Sequence, residues 1–355
     1  MERRKFLKGA AISATGAALA APAVAGGHGK TMTIVSSWGR DFPGLGTSAQ
    51  RLAARITELS EGAITTEYYA GGERVGAFDV FDEVASGNSQ AYISADYYWR
   101  GTHPGFAFFT AVPMGMNSAE WNAWIKFAGG QELWDEISAS FNLKAYTCGG
   151  TGAQCGGWFN KEINSISDIQ GMKMRIPGLG GEVFARAGGE TVQTPGGEIF
   201  TSLQTGVIDA AEWVGPYNDL AFGLHQVAKY YYYPGWQEPG PALEVIVNKK
   251  AYESLPDDLQ EILRVATLSA NLDMLAEYTA RNNAALVELV ETHGVEVRRL
   301  PEDVIAVFKK LSLEVTEEII DGDPLSIRIY ESFKEYYQGV VDFHEISEKA
   351  YINAR

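Results

Sequence analysis

The chain has 355 residues, 46% of them hydrophobic and 21% charged, with a formal net charge of −16. This is too apolar for a disordered chain and long enough for two domains. The acidic balance argues against nucleic acid or an anionic membrane surface as partner, but says nothing against small anions, which respond to local groups.

The first 25 residues read as a removable export segment. Arg3, Arg4, Lys5 and Lys8 form a basic head, an Ala-rich apolar stretch follows, and Ala23-Val24-Ala25 is a small-x-small cleavage site. The run Arg3-Arg4-Lys5-Phe6-Leu7-Lys8 resembles the twin-arginine signal, which places the mature chain in the periplasm. Four bases and one acid leave with the segment, so the mature chain carries −19. No later run of about 18 apolar residues predicts a membrane span.

The mature chain then alternates strand and helix. "KTMTIVSSW" (30–38) is a β-rich opening strand. In 46–62, Leu52, Ala53, Ile56 and Leu59 fall at helical spacing up to Gly62. Strand "AITTEYYAGGE", a helix stopping at Gly87, and strand "SQAYISADYYW" follow. This βαβαβ rhythm predicts an α/β layer with a largely parallel sheet. "LKAYTCGG", "QCGGWFNK" and "MKMRIPG" open a second α/β unit over about 150–240. It continues through a helix from about Gly181, "ETVQTP", a helix closed by Gly206, and strand "VIDAAEWVG". A Pro- and Gly-rich crossing then leads into the strand of "PALEVIVNKK". From Pro256 to about His293 runs one long helix, with Asp257 and Asp258 at its positive end and Gly294 beyond it. Two further helical stretches cover about 302–321 and 326–350.

These segments predict two lobes around a cleft. The first comprises 26–150 plus about 242–270, the second about 151–241 plus 295–355, and the helix at about 256–293 spans both. Ligand sites in such sheets lie at strand ends. The long helix and the C-terminal helices either form a homodimer face or cap the lobes. Cys148 and Cys155 are read as buried free thiols rather than a disulfide, and the five histidines form no metal-type pair.

Chemistry concentrates at a few positions. Arg175 ends the strand of "GMKMRIPG", where its guanidinium can grip a carboxylate through two hydrogen bonds or pair with an acid. The glycines of "PGLGGEVF" fail the dinucleotide pattern because Val183 stands where the last glycine should be. Gln154 sits among small residues in "TGAQCGGWF". Glu212 lies in the otherwise apolar "DAAEWVG", where a carboxylate costs several kcal/mol unless paired or metal-bound. It therefore pairs with Arg175 or holds a hard cation. Gln154, Glu212 and the Trp213 carbonyl offer the amide, carboxylate and carbonyl oxygens that Ca²⁺ or Na⁺ takes. Glu238 is a further acid beside the aromatic run "YYYYPGW", and other aromatics cluster in "DYYW" (96–99).

"QGMKMRIPG", "GVIDAAEW", "EWVGPYND", "TGAQCGGWF" and "YYYYPGWQEPGP" resemble the substrate-binding proteins of tripartite ATP-independent periplasmic (TRAP) transporters, over about 30–350. The narrower motifs are similar to the branch that binds α-keto acids such as pyruvate, or lactate, with a metal ion. The resemblance implies a two-lobed, periplasmic-binding-protein-like α/β fold that closes on its ligand by hinge motion and delivers it to membrane subunits. It implies that Arg175 clamps the ligand carboxylate. Gln154, Glu212, the Trp213 main-chain oxygen and Glu238 would hold a Ca²⁺ or Na⁺ that bridges to the ligand, and Tyr97 and Tyr98 would contact it. The stretch before "SSWGRDFPGLG" (36–46) departs from the branch pattern and receives no ligand contact. A binding protein for another organic acid would carry the same arginine. A secreted metal-dependent enzyme on keto acids would need a base, yet no histidine falls near the candidate ligands and no hydrolase or metalloprotease motif occurs.

Overall fold

The computed structural model describes residues 29–355. The export segment and its twin-arginine reading lie outside the described residues. Among them, strands run in chain order as β1 (Lys30–Ser36), β2 (Ile64–Tyr69), β3 (Ala91–Ser94), β4 (Leu143–Gly150), β5 (Gly157–Phe159), β6 (Lys173–Arg175), β7 (Glu190–Val192), β8 (Ala210–Ala211), β9 (Tyr230–Tyr233), β10 (Ala242–Asn248) and β11 (Glu296–Arg299). They build two sheets, ordered β2-β1-β3-β10-β4 and β11-β9-β5-β8-β6-β7.

The sheets are mixed rather than largely parallel. β1 runs parallel to β2 and β3, but β10 is antiparallel to both β3 and β4. In the second sheet β5 is antiparallel to β8 and β9, while β6 is parallel to β7 and β8. The cause is connectivity. β10 returns from the second sheet after β9 and enters the first from the opposite end, so it cannot continue the βαβ winding.

The 35-residue helix Asp257–Glu291 ties the two sides together. Its Met274 packs so closely on β4 that a Cβ at Gly149 would lie 2.2 Å from the Met274 sulfur. One turn on, Tyr278 donates from its hydroxyl to Asn218 Oδ1 at 2.6 Å, and Asn282 Oδ1 accepts from Tyr217 N at 3.0 Å. Tyr217 and Asn218 belong to the short helix Pro216–Ala221 beyond β8.

The C-terminal division differs from expectation. Helix Glu302–Ile319 does pack on the second-sheet side, with Phe308 against Phe184 and Trp236. Helix Pro324–Ile346 instead returns to the first side, where Phe333 meets Phe108 and Trp124. Its apolar stripe needs a partner, and the layer of residues 104–139 supplies one. That layer comprises the turn Pro104–Phe109 and helices Ser118–Phe127 and Gly130–Ala139. Three buried tryptophans, Trp121, Trp124 and Trp134, anchor it. The strand expected through "SADYYW" stops at Ser94, and Asp96–Trp99 forms a 3₁₀ turn. Cys148 and Cys155 are free thiols.

Candidate functional site

Arg175 and Glu212 sit on adjacent strand ends. β6 pairs with β8 in register Arg175↔Ala211, and the ladder extends one step further as Glu212 N donates to Arg175 O at 3.1 Å. That step brings the two side chains to the same point. Arg175 Nη1 donates to Glu212 Oε1 and also to the Glu212 carbonyl at 3.1 Å, and Arg175 Nε donates to Thr194 O at 3.2 Å. Both side chains are sealed from solvent, at 1% and 0% exposure. The guanidinium also lies over the Trp213 ring, 5.2 Å from its centroid.

The pairing leaves specific atoms free. Among the described residues Arg175 Nη2 has no acceptor, while Glu212 Oε2 and Gln154 Oε1 have no donor, and all three are buried. Gln154 is otherwise held by Thr151 Oγ1, which accepts from its Nε2 at 3.3 Å, and by its backbone N–H, which donates to Glu238 O at 3.2 Å. The structure thus joins Gln154, from the segment after β4, to Glu238, from the segment before β10. Glu238 is buried, and burial followed by the Glu212 charge pushes its carboxyl well above the usual carboxylate range. Burial likewise raises Glu212, and Arg175 opposes that rise. Two carboxyls beside one guanidinium cannot both hold full charge cheaply in a dry site.

Tyr97 and Tyr98 close the first-sheet side. Both are buried, their rings meet edge to face at 4.8 Å, and the charges of Glu238, Glu212 and Arg175 all act on them. The helix Gly178–Arg186 starts against this pair, with Gly178 (φ +62°) held 3.3 Å from the Tyr97 ring as measured from an added Cβ. All seven sequence-predicted residues therefore lie in one buried neighbourhood between the sheets. Among the described residues no cluster of three His, Cys, Asp or Glu forms, so any cation here relies on mixed amide, carboxylate and carbonyl oxygens. The orphaned Glu212 Oε2 and Gln154 Oε1 fit a hard cation, and the orphaned Arg175 Nη2 fits a carboxylate.

Other residues escaped sequence reading. Gln237 is buried, and its Nε2 donates to the Cys155 carbonyl at 2.8 Å while facing the Glu212 carboxylate. Asp219 accepts from Trp158 Nε1 (3.0 Å), Tyr231 Oη (2.8 Å) and Val214 N (3.3 Å), which fixes the backbone just after Trp213. Burial pushes this carboxyl up to about 6. Trp38 and Phe42 pack edge-on against Trp213, each at 6.2 Å. Only their aromatic character could have signalled them, and that equally marks a core.

The model of the DctP family, described as bacterial extracellular solute-binding protein, family 7, matches residues 36–323. The chain belongs to this family. It is 39% identical to a monocarboxylate 2-oxoacid-binding periplasmic protein of Nostoc sp., across 99% of this chain and 98% of the relative. Two solved TRAP periplasmic solute-binding proteins are equally close, each at 38% identity, TM-score 0.89 and 92% coverage of this chain. One, from Pseudoalteromonas atlantica, holds sodium and pyruvate and is covered to 99%. The other, from Colwellia psychrerythraea, holds calcium and pyruvate and is covered to 100%. As a family 7 solute-binding protein the chain has the two-lobed α/β architecture of these relatives.

Proposed function

We propose that this chain captures a small 2-oxo or 2-hydroxy monocarboxylate, pyruvate-like, and delivers it to the membrane subunits of a TRAP transporter without turning it over. The observation that carries this reading is the matched set of orphaned atoms around the Arg175–Glu212 pair: one free donor and two free acceptors, all buried. Arg175 takes the ligand carboxylate with Nη2. Glu212, Gln154, the Trp213 carbonyl and Glu238 hold a Ca²⁺ or Na⁺. When bound, that cation supplies a positive centre for adjacent carboxylate and 2-oxo or 2-hydroxy oxygens. Tyr97, Tyr98 and the Trp213 ring exclude water and so strengthen each of these contacts.

A twin-arginine signal over the first 25 residues exports the folded protein to the periplasm. The reading is supported by the Nostoc relative and by the two pyruvate-bound structures. It is tested by a thermal-shift screen of small carboxylates, each with Na⁺, Ca²⁺ or a chelator. A ligand that binds only the folded state raises the melting temperature. The expected hits are 2-oxo and 2-hydroxy monocarboxylates in the presence of cation. Hits confined to sugar acids or dicarboxylates would refute the assignment.

A further inference from the structure

Outside the sealed polar cluster lies a chamber of about 320 Å³ between the sheets. Its walls are aromatic: Trp38, Phe42, Trp213 and Phe222. Phe42 and Phe222 stand 4.3 Å apart by ring centroid, and Trp213 and Phe222 stand 5.1 Å apart. Glycines at 39, 71, 72, 196 and 197 make up much of the remaining lining, leaving flat surfaces without side chains. Gly196 is required there, because a Cβ would lie 2.3 Å from Trp213 Cη2.

Trp213 belongs to both spaces. Its ring lies over Arg175 and also lines the chamber, so one indole borders both the carboxylate-binding group and the apolar volume. The indole N–H groups of Trp38 and Trp213 are buried without an acceptor among the described residues, which is costly in a wall meant only to pack. Among the described residues no Lys, Arg or His lines the chamber, and the one charged residue there is Glu198. A second carboxylate would find no counter-charge and would meet an acid. A flat apolar group would bury against four rings.

We propose that this chamber receives the side chain of the ligand, and that the preferred substrate class is a 2-oxo monocarboxylate bearing an aromatic ring rather than pyruvate itself. This rests on the function proposed above, in which Arg175 and the cation hold the 2-oxo carboxylate end.

The test uses calorimetry and tryptophan fluorescence on the mature protein with Ca²⁺, titrated with pyruvate, phenylpyruvate and 2-oxoglutarate. Phenylpyruvate is expected to bind at least about tenfold tighter than pyruvate, the scale of a well-filled apolar pocket, and 2-oxoglutarate more weakly than either. Two chamber-filling variants, Gly39→Leu and Gly197→Leu, separate the chamber from the polar site. A Cβ at either position meets no atom within 4 Å, and neither backbone needs a left-handed φ. Each variant, checked for wild-type melting, is expected to lose about tenfold for phenylpyruvate and to keep pyruvate within about twofold. Pyruvate binding as tightly as phenylpyruvate, or both acids weakening equally in the variants, overturns this inference alone. Binding of none of the three acids overturns it together with the function proposed above.

Discussion

Arg175 and Glu212 neutralise each other through one contact and withhold a second. Nη1 and Oε1 are joined, while Nη2 and Oε2 face the interior with no partner among the described residues. A pair built only for stability would use both, because a bidentate arrangement is the strong form of this interaction. The unused half is what a carboxylate ligand and a cation would complete.

Arg175→Lys keeps the charge but replaces the planar fork with a point donor. Pyruvate affinity should fall at least about thirtyfold, corresponding to the ~2 kcal/mol lower bound for disturbing a buried hydrogen-bonded charge pair. Calorimetry with saturating cation reads this directly. Retention of affinity within a few-fold would remove Arg175 from the ligand.

Glu212→Gln leaves the guanidinium buried without its counter-charge. The ligand-free variant should lose about 3–5 kcal/mol of stability, as for other broken buried pairs, measured by denaturant melts. The remaining folded protein should show no melting shift on adding Ca²⁺ together with pyruvate. A full shift would mean that Glu212 only neutralises Arg175.

This site is legible in the sequence because the chemistry sits on short motifs at strand ends. Arg175 precedes Pro177-Gly178, Glu212 interrupts an apolar run, and Gln154 lies among small residues. Whether the two charges pair or stand apart is not written in those motifs. Strand alternation places Glu212 on a face, but only the register of β6 against β8 puts its carboxylate at the guanidinium. The same apolar-run signal occurs at Glu244 in "ALEVIVN", where no neighbouring motif singled it out. Residues 100–142 gave no element, because aromatic density there hides helical period. Helix Pro324–Ile346 covers the first side rather than the expected second, because nothing in an amphipathic stripe names the surface it will cover.

Glu244 is fully buried, with neither carboxyl oxygen partnered by a donor among the described residues, and it abuts Asp96. Asp96 accepts from Trp134 Nε1 at 2.7 Å and Tyr92 Oη at 3.3 Å. Burial pushes Asp96 up to about 7 and Glu244 well above the carboxylate range, with the Asp96 charge adding to the latter. Glu244 therefore keeps its proton and faces Asp96 as a donor. The folded chain holds more protons than the unfolded one, whose carboxyls titrate near 4. Stability from Asp96 is complete below about pH 4 and is lost as pH rises through about 7, and that from Glu244 likewise declines as pH rises above the usual carboxylate range. Glu244→Gln mimics the protonated acid, so its melting temperature should fall less between pH 5 and pH 8 than that of the wild type. Equal slopes would contradict the shared-proton arrangement.

Arg100 and Glu182 form an ion pair at 2.6 Å that links the turn carrying Tyr97 and Tyr98 to helix Gly178–Arg186. Their side chains are 27% and 45% exposed, so solvent screens most of the attraction. Arg100→Ala should weaken ligand binding by less than about fivefold, with the difference shrinking further in high salt. A larger, salt-independent loss would make this contact part of the closed state's main hold on the ligand.

The central claim is that carboxylate and cation complete one buried charge set. The direct measurement is a calorimetric titration of pyruvate into protein stripped with a chelator, repeated after restoring Ca²⁺ or Na⁺. Little or no heat is expected in the stripped protein, and saturable one-to-one binding once cation returns. Pyruvate binding of unchanged affinity in the stripped protein would contradict it.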